Sequence, residues 1–344
     1  MGTTTAVTSS HSERSPFQTT LHSFSQNTGF IWRTLTEKLK SACRFLLGLW
    51  FIKGPYIYIA RLIRDCSGIS RRSLSVSPKM DLMTYCDFEW KGGTPHAEKI
   101  KKAYQEMYDK YHIKYVHQIR GDNYCALRAT MFQVLSRGIP FPFWMREQDI
   151  TKLPEMLFYK QGCNWIQQYS FGPEKYAGPK VFYKLRQCMD MLKMQWGEIY
   201  RLKEKKDREK ACKMLFSDES MEYKIYEAVK FLMLYLAIEM FEGINHGQDV
   251  PNFCRMLFAR DTSLDPVSFM LNHLNCIGDT GGLEQIEMFL LGYTLKLKIR
   301  ALRLSKYGTE EFESSFVDVD QRDWHSITLL TEDDRHYNIP IMDK

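Results

Sequence analysis

Two segments, one in the first half of the chain and one almost at its end, constrain this sequence more than anything else. The first is Gly121-Asp122-Asn123-Tyr124-Cys125-Ala126-Leu127-Arg128-Ala129-Thr130; the second is Asp333-Asp334-Arg335-His336-Tyr337-Asn338-Ile339-Pro340. A cysteine can supply a nucleophile, a histidine the base, and an asparagine the group that orients the imidazole. A chain that uses all three must bring an early helix against a late strand. The local patterns suit this. Cys125 falls in the first turn of a helix predicted to run to about Leu135, where unpaired N–H groups and the helix dipole favour an anion. A free thiol titrates at about 8.5, so such help is needed for a thiolate near neutral pH. The polar turn Gly121-Asp122-Asn123 offers backbone N–H groups for an oxyanion hole. Period-2 placement puts His336 and Asn338 on one face of a strand. Spacing alone leaves the plain alternative open: a small core cysteine and a structural histidine.

The chain has 344 residues, 44% apolar and 26% charged, enough for one large domain or two small ones around a real core. Its nine cysteines are scattered and none forms a CxxC pair. Zinc ribbons and thioredoxin-type motifs are therefore unsupported, and the pattern reads as reduced, cytosol-facing thiols. His112 and His117 have no third ligand nearby, so no metal site is expected there. Thr280-Gly281-Gly282-Leu283-Glu284 reads as a turn opening a helix; it lacks the lysine of a phosphate-binding loop. No cofactor is implied. The net charge is +6, and the segment from Arg33 to Arg72 holds nine Lys/Arg against Glu37 and Asp65. The positive charge thus belongs to the N-terminal arm, and a nucleic-acid face on the main domain is not indicated.

The composition divides the chain into four parts. Residues 1–28 are Ser/Thr-rich without an apolar run and read as a disordered tail. Residues 29–64 alternate Trp, Phe, Leu and Ile with basic residues, broken at Lys53-Gly54-Pro55. The uncharged run Phe45 to Ile52 is too short to span a bilayer, which needs about 20 residues. Such a face suits a helix lying in the membrane interface over residues 30–64, or a shallow hairpin; the other reading is a helix packed on the body of the protein. Residues 65–79 read as a Ser-rich basic linker, with Arg71-Arg72-Ser73-Leu74-Ser75 as a basophilic kinase pattern or a plain solvated hinge. Residues 80–344 read as the globular domain. Helices are predicted from Pro95 to about Tyr111, from Lys180 to about Lys203 with Lys203 to Lys210 as its solvated end, over Glu219–Phe241 as the core, and over Pro266–Asn275 and Leu283–Leu291. His112–Ile119 is short and extended. Strands gather late, at Leu295–Leu304, Ser326–Leu330 and Tyr337–Ile341. This is an α+β pattern, helix-rich with a small late sheet.

At several of these segments the chain resembles the otulin family of ovarian-tumour-type (OTU) deubiquitinases. The stretches are Arg120 to Thr130, Tyr226-Glu-Ala-Val-Lys-Phe-Leu-Met-Leu234, Leu257-Phe-Ala-Arg-Asp-Thr-Ser263, Gly281-Gly-Leu-Glu-Gln-Ile-Glu-Met-Phe-Leu-Leu291, Arg303 to Tyr307 and Glu332 to Pro340. The resemblance implies an OTU-type, papain-like cysteine-protease domain of C65-like peptidase class that cuts linear, head-to-tail ubiquitin. It implies Cys125 as nucleophile, His336 as general base, Asn338 as its orienting partner and Asp122 as a shaper of the oxyanion region. Asp333 matches an acidic residue that holds the histidine unproductive until substrate arrives. Glu311 and Trp90 match ubiquitin-contacting positions. The chain departs from otulin in lacking an acidic ligase-docking peptide and a PDZ-binding tail. Its basic apolar arm and the segment Gln161 to Lys175 look instead like the otulin-like paralogue. That branch is associated with the endoplasmic reticulum membrane and nuclear envelope, and its better-known members are pseudoenzymes. Here the Cys, His and Asn positions are intact. Two readings follow: a membrane-tethered deubiquitinase with some cytoplasmic population, or an inactive membrane-anchored scaffold.

Overall fold

The computed structural model describes residues 74–160, 162–175, 178–317 and 323–342. The tail at 1–28, the arm at 29–64 and the linker up to Ser73 lie outside the described residues. In chain order these form β1 (Met80–Asp81), α1 (Leu82–Glu89), α2 (Pro95–Asp109), β2 (Ile113–His117), α3 (Cys125–Ser136), α4 (Phe143–Glu147) and α5 (Leu153–Lys160). There follow α6 (Val181–Tyr200), α7 (Lys205–Leu215), α8 (Glu219–Asn245), α9 (Asn252–Leu257), α10 (Pro266–Asn272) and α11 (Gln285–Leu295). The chain closes with β3 (Leu297–Arg303), β4 (Glu313–Phe316), β5 (His325–Thr331) and β6 (Tyr337–Met342). Short 3-10 turns lie between several of them.

The six strands form one sheet in the order β1-β2-β6-β5-β3-β4. β3 and β5 are parallel, and every other pair is antiparallel. Strand alternation sends side chains to two cores. Ile299, Ala301, Ile327, Leu329, Tyr337 and Ile339 face the larger, helical one. Leu302 and Leu330 face a smaller core shared with α1 and α2, including Leu82, Tyr85, Ile100 and Tyr104. The α+β class holds, but the sheet is not confined to the C-terminal end. β2 pairs with β6 through Val116 opposite Pro340, a long-range register that local patterns do not encode.

The helical core is layered. All twelve residues of α3 are buried, because it lies between the sheet on one side and α7 and α8 on the other. Most of its residues are apolar, as such a position requires, and its buried polar side chains Arg128 and Gln133 are hydrogen-bonded. α8, as expected from its sequence, is the core helix, and Phe231, Leu232, Met233 and Leu234 are fully buried. The charged run Lys203–Lys210 is not the end of α6. The chain breaks after Tyr200 and restarts as α7. Arg208 holds the break: its guanidinium donates to the carbonyls of Leu202 and Lys203, each at 2.8 Å, and to that of Ser136 at 3.3 Å.

Residues 74–79, assigned to the linker by composition, belong to the domain. The Ser77 N–H donates to the Gln118 carbonyl at 2.8 Å, and the Arg120 N–H donates to the Ser75 carbonyl at 3.0 Å. Val76 bridges Ile119. The Ser75 hydroxyl donates to Glu222 Oε1 at 2.7 Å, so this hydroxyl is buried and is not part of a solvated hinge. A chain starting at Leu74 should be more stable than one starting at Met80 by about 1–3 kcal/mol, since the shorter one leaves Glu222 a partner short. Thermal unfolding of the two measures this; identical midpoints would return the segment to a linker.

Candidate active site

The turn before Cys125 is built around a buried guanidinium. Arg128, one turn into α3 and fully buried, donates to both oxygens of Asp122, at 2.5 and 2.6 Å, and to Glu222 at 3.2 Å. Arg120 closes the cluster, with Nε 2.9 Å from Asp122 and a second nitrogen 2.9 Å from Glu222. Burial would raise the Asp122 pKa, but the two arginines outweigh it and hold the carboxyl below its usual range. Glu222 faces the same charge, yet its own burial wins and its pKa is raised. The difference follows from geometry: Arg128 pairs with both oxygens of Asp122 but reaches Glu222 by one longer bond, and the Glu222 side chain is the more deeply buried of the two.

Asn123 adopts a left-handed φ of 63°, which turns the chain into the helix, and its amide donates to the Asp279 carbonyl at 2.7 Å. The residue just before Thr280–Glu284, the segment set aside as a phosphate loop, therefore braces the loop that carries Cys125. Tyr124 is wedged between two glycines. A Cβ on Gly278 would lie 2.1 Å from Tyr124 Cζ, and one on Gly172 would lie 1.9 Å from its hydroxyl. That hydroxyl bonds Glu227, which also takes Tyr169 at 2.9 Å and Lys230 at 2.9 Å.

His336 sits on a turn tied down at four successive residues. Thr331 Oγ1 accepts the Asp334 N–H at 2.9 Å. Glu332 accepts the Trp90 indole N–H at 2.9 Å and the Tyr104 hydroxyl. Asp333 accepts the N–H groups of Arg335 at 3.0 Å and His336 at 2.9 Å. Asp334, itself left-handed at φ 64°, forms a two-pronged pair with Arg303 at 2.6 and 2.8 Å.

The orientation of Asn338 can be read without ambiguity. The Ile119 N–H, a donor only, lies 2.9 Å from Asn338 Oδ1. The same oxygen is 3.2 Å from His336 Nε2, so Nε2 carries the proton and Nδ1 is left with the lone pair. That Nδ1 edge faces the turn at Gly121. The Cys125 thiol donates to the carbonyl of Arg335, the residue before the histidine, at 3.5 Å. Burial pushes this thiol up in pKa. The N–H groups of Tyr337 and Ala126 and the charge of Arg128 oppose the shift without cancelling it. No side chain caps the N-terminus of α3, which leaves its first N–H groups to the sulfur and to an incoming oxyanion. Burial therefore favours the neutral thiol at rest, and the Asn338 bond leaves His336 Nδ1 as the free ring acceptor.

His336 and Asn338 are thus bonded, and the Cys125 thiol reaches the carbonyl of the residue before the histidine. Asp122 lies in the same loop, but its bonds go to Arg128, Arg120 and the Tyr124 N–H, so it shapes the loop rather than touching the triad. Asp333 caps the backbone of the histidine turn, accepting the N–H groups of Arg335 and His336. Trp90 packs edge-on to His96 and bonds Glu332. Glu311 is exposed, 3.0 Å from Lys306 and 3.7 Å from Arg303, which links it to the Asp334 pair. Sequence reasoning missed Arg128, Glu222, Arg303, Glu332, Asp334 and Tyr85. Arg128, Asp334 and Glu332 were at least within the two motifs, whereas the partners of Glu222, Arg303 and Tyr85 are distant in sequence. His273, Glu284 and Glu287 also cluster, but Arg260 already bridges the two carboxylates at 3.2 and 2.8 Å, filling the place of a cation.

Residues 74–341 match Peptidase family C101. The chain belongs to Peptidase family C101. The C65-like class inferred from the motifs is replaced by this one, and the matched segment begins at Leu74, where the described domain begins. Among solved structures, the chain resembles that of a ceOTUB1–ubiquitin aldehyde–UBC13~Ub complex, with a TM-score of 0.53 and 11% identity over 83% of this chain and 99% of that one. It resembles an h/ceOTUB1–ubiquitin aldehyde–UBC13~Ub complex with a TM-score of 0.54 and 12% identity, over 84% of this chain and 99% of that one. At such identities the likeness shows the fold, which is of the OTU deubiquitinase type. The otulin-type resemblance rests on the sequence motifs.

Two outcomes follow for this C101 domain. Gly278→Ala should displace Tyr124 and cost about 1–3 kcal/mol from overpacking, on top of its left-handed φ of 82°; chemical denaturation reads it. Asp334 has a depressed pKa owing first to Arg303. Its contribution is present above the ordinary aspartate range near 3.9 and lost as pH falls through the lower folded value. Asp334→Asn should thus destabilise by about 1–2 kcal/mol at neutral pH, and the gap to the unsubstituted protein should close in acid. A gap that persists at the lowest pH tolerated would place the effect outside the ion pair.

Proposed function

We propose that the protein is a cysteine-type deubiquitinase acting on linear, head-to-tail ubiquitin. The observation that carries this is the Asn338–His336 bond, which leaves Nδ1 basic on the turn that also receives the Cys125 thiol. In this reading His336 Nδ1 takes the Cys125 proton. The thiolate attacks the carbonyl carbon of the ubiquitin C-terminal glycine, and the oxyanion is met by backbone N–H groups at the start of α3. His336 then gives the proton to the departing α-amine, leaving a thioester. Water, deprotonated by His336, hydrolyses the thioester and regenerates the thiol. The OTU-type fold and the family membership support the reaction class. The otulin-type motifs support the linear linkage, with Glu311 and Trp90 as ubiquitin contacts and Asp333 as a regulatory residue acting on the histidine turn.

A second reading has its own observation. The Cys125 thiol is buried, neutral at rest and bonded to a carbonyl, as suits an inactive ubiquitin-binding scaffold. In both readings residues 30–64 tether the protein to the cytoplasmic face of the endoplasmic reticulum and nuclear envelope, supported by their basic and apolar pattern. No helix among the described residues is long and apolar enough to cross a membrane, and the arm lies outside them.

Incubation of the full chain with linear diubiquitin, beside Cys125→Ala, separates the readings. The hydrolase releases monoubiquitin in a Cys125-dependent way, and Cys125→Ala binds ubiquitin without cutting it. No cleavage by folded protein at high concentration supports the scaffold, and cleavage that survives Cys125→Ala removes this residue from the chemistry. Deleting residues 30–64 should move the protein from the membrane pellet to the supernatant; unchanged pelleting would refute the tether.

A further inference from the structure

The Asn338 side chain has a contact that the chemistry above does not use. It is 1% exposed, so its amide finds no bulk water. Its oxygen is taken by the Ile119 N–H and by His336 Nε2. On the other side, its Nδ2 donates to the hydroxyl of Tyr85 at 3.2 Å. The two ends of the amide are thus read by different elements: the oxygen by the segment after β2, the nitrogen by α1. A half-turn of the amide would set NH2 against the Ile119 N–H, take the acceptor from His336 Nε2 and leave Nδ1 without its defined role.

Tyr85 is well placed to prevent this. It is 3% exposed, and its ring packs edge-on to Tyr104 with centroids 6.1 Å apart, so the ring stays in place without its hydroxyl. α1 is tied at its start by Asp81, which accepts the Thr84 N–H at 2.9 Å, and beyond its end by Trp90, which bonds Glu332 on the histidine turn. Burial and the nearby charge of Glu332 push the Tyr85 phenol far above its usual range, so the acceptor stays uncharged at any working pH. The residue therefore comes from an element anchored to the same turn as His336. We propose that Tyr85 is a positioning residue that sets the imidazole of His336 through the Asn338 amide; the proposal rests on the thiol-hydrolase reading of the site.

Two readouts on the full-length protein test this, applied to the unsubstituted chain, Tyr85→Phe, Asn338→Ala and the double variant. The first is the rate of Cys125 alkylation by iodoacetamide against pH, followed by mass spectrometry, which needs no ubiquitin. The second is steady-state cleavage of linear diubiquitin. Tyr85→Phe should move the inflection of the alkylation profile to higher pH and lower kcat by about 10- to 100-fold, the scale of a misplaced catalytic group, with KM unchanged. In the Asn338→Ala background Tyr85→Phe should add nothing, because the path through the amide is already gone. A Tyr85→Phe profile and kcat equal to those of the unsubstituted chain overturn the proposal. So does a loss that adds in full to that of Asn338→Ala, which marks a packing role. Diubiquitin left uncut while Tyr85→Phe still shifts the alkylation profile refutes the hydrolase reading and keeps the positioning role.

Discussion

The fully buried guanidinium of Arg128 is the interaction on which the rest of this site depends. It sits on the central helix, one turn from the nucleophile, and gathers Asp122 and Glu222 around it. A buried charge left without partners costs several kcal/mol, so the three segments that carry these groups are held together or fail together. Asp122 brings in the turn before Cys125. Glu222 brings in α8, the core helix. Through the Ser75 hydroxyl, Glu222 also brings in the strand-like segment at the start of the domain. Tyr226 lies under the guanidinium at 5.2 Å, adding an aromatic face to the same charge. The cluster does no chemistry. It decides where the first turn of α3 points.

A second set of contacts does the same for the base. Four consecutive residues, Thr331 to Asp334, each spend a polar side chain on the turn or on a neighbour, so His336 arrives on a rigid support. The two supports meet at Asn338, whose oxygen joins the histidine to the Ile119 N–H just ahead of the nucleophile loop. The geometry that results is half-prepared. The tautomer of His336 is set for proton abstraction, while the thiol remains neutral because burial outweighs the N–H groups and the positive charge around it. An enzyme that waits for substrate and a scaffold that has lost its use for the triad would share this resting state.

Much of the architecture was legible in the sequence. The helices at 95–109, 125–136, 181–200 and 219–245, and the three main late strands, followed from periodicity, caps and breaks, all of which act within a few residues. Thr94-Pro95 is a local start signal, and Thr94 does cap the following helix. The errors lie where a distant partner decides. Lys203 to Lys210 is mostly exposed as expected, but it leads into α7, and Arg208 bonds the carbonyls of Leu202 and Lys203 in the break between the two helices. Residues 74–79 read as a linker because their Ser-rich composition is common in linkers, yet backbone bonds to residues 118–120 tie them to the domain. Asp333, whose regulatory role is implied by the resemblance alone, accepts the backbone N–H groups of Arg335 and His336.

The sequence by itself determined the residue types of the site, the helix that begins at Cys125 and the His-x-Asn register of the last strand. These depend on side-chain chemistry and on backbone periods of 3.6 and 2, which any short window reveals. The tertiary structure alone decided which nitrogen of His336 is left as an acceptor, which way burial pushes the Cys125 thiol, and which groups hold the loops that carry them. Those properties depend on burial and on bonds between residues far apart in the chain, such as Ile119 with Asn338 and Tyr85 with the same amide. A proton's position is set by the field of everything packed around it, and that field does not exist until the chain has folded.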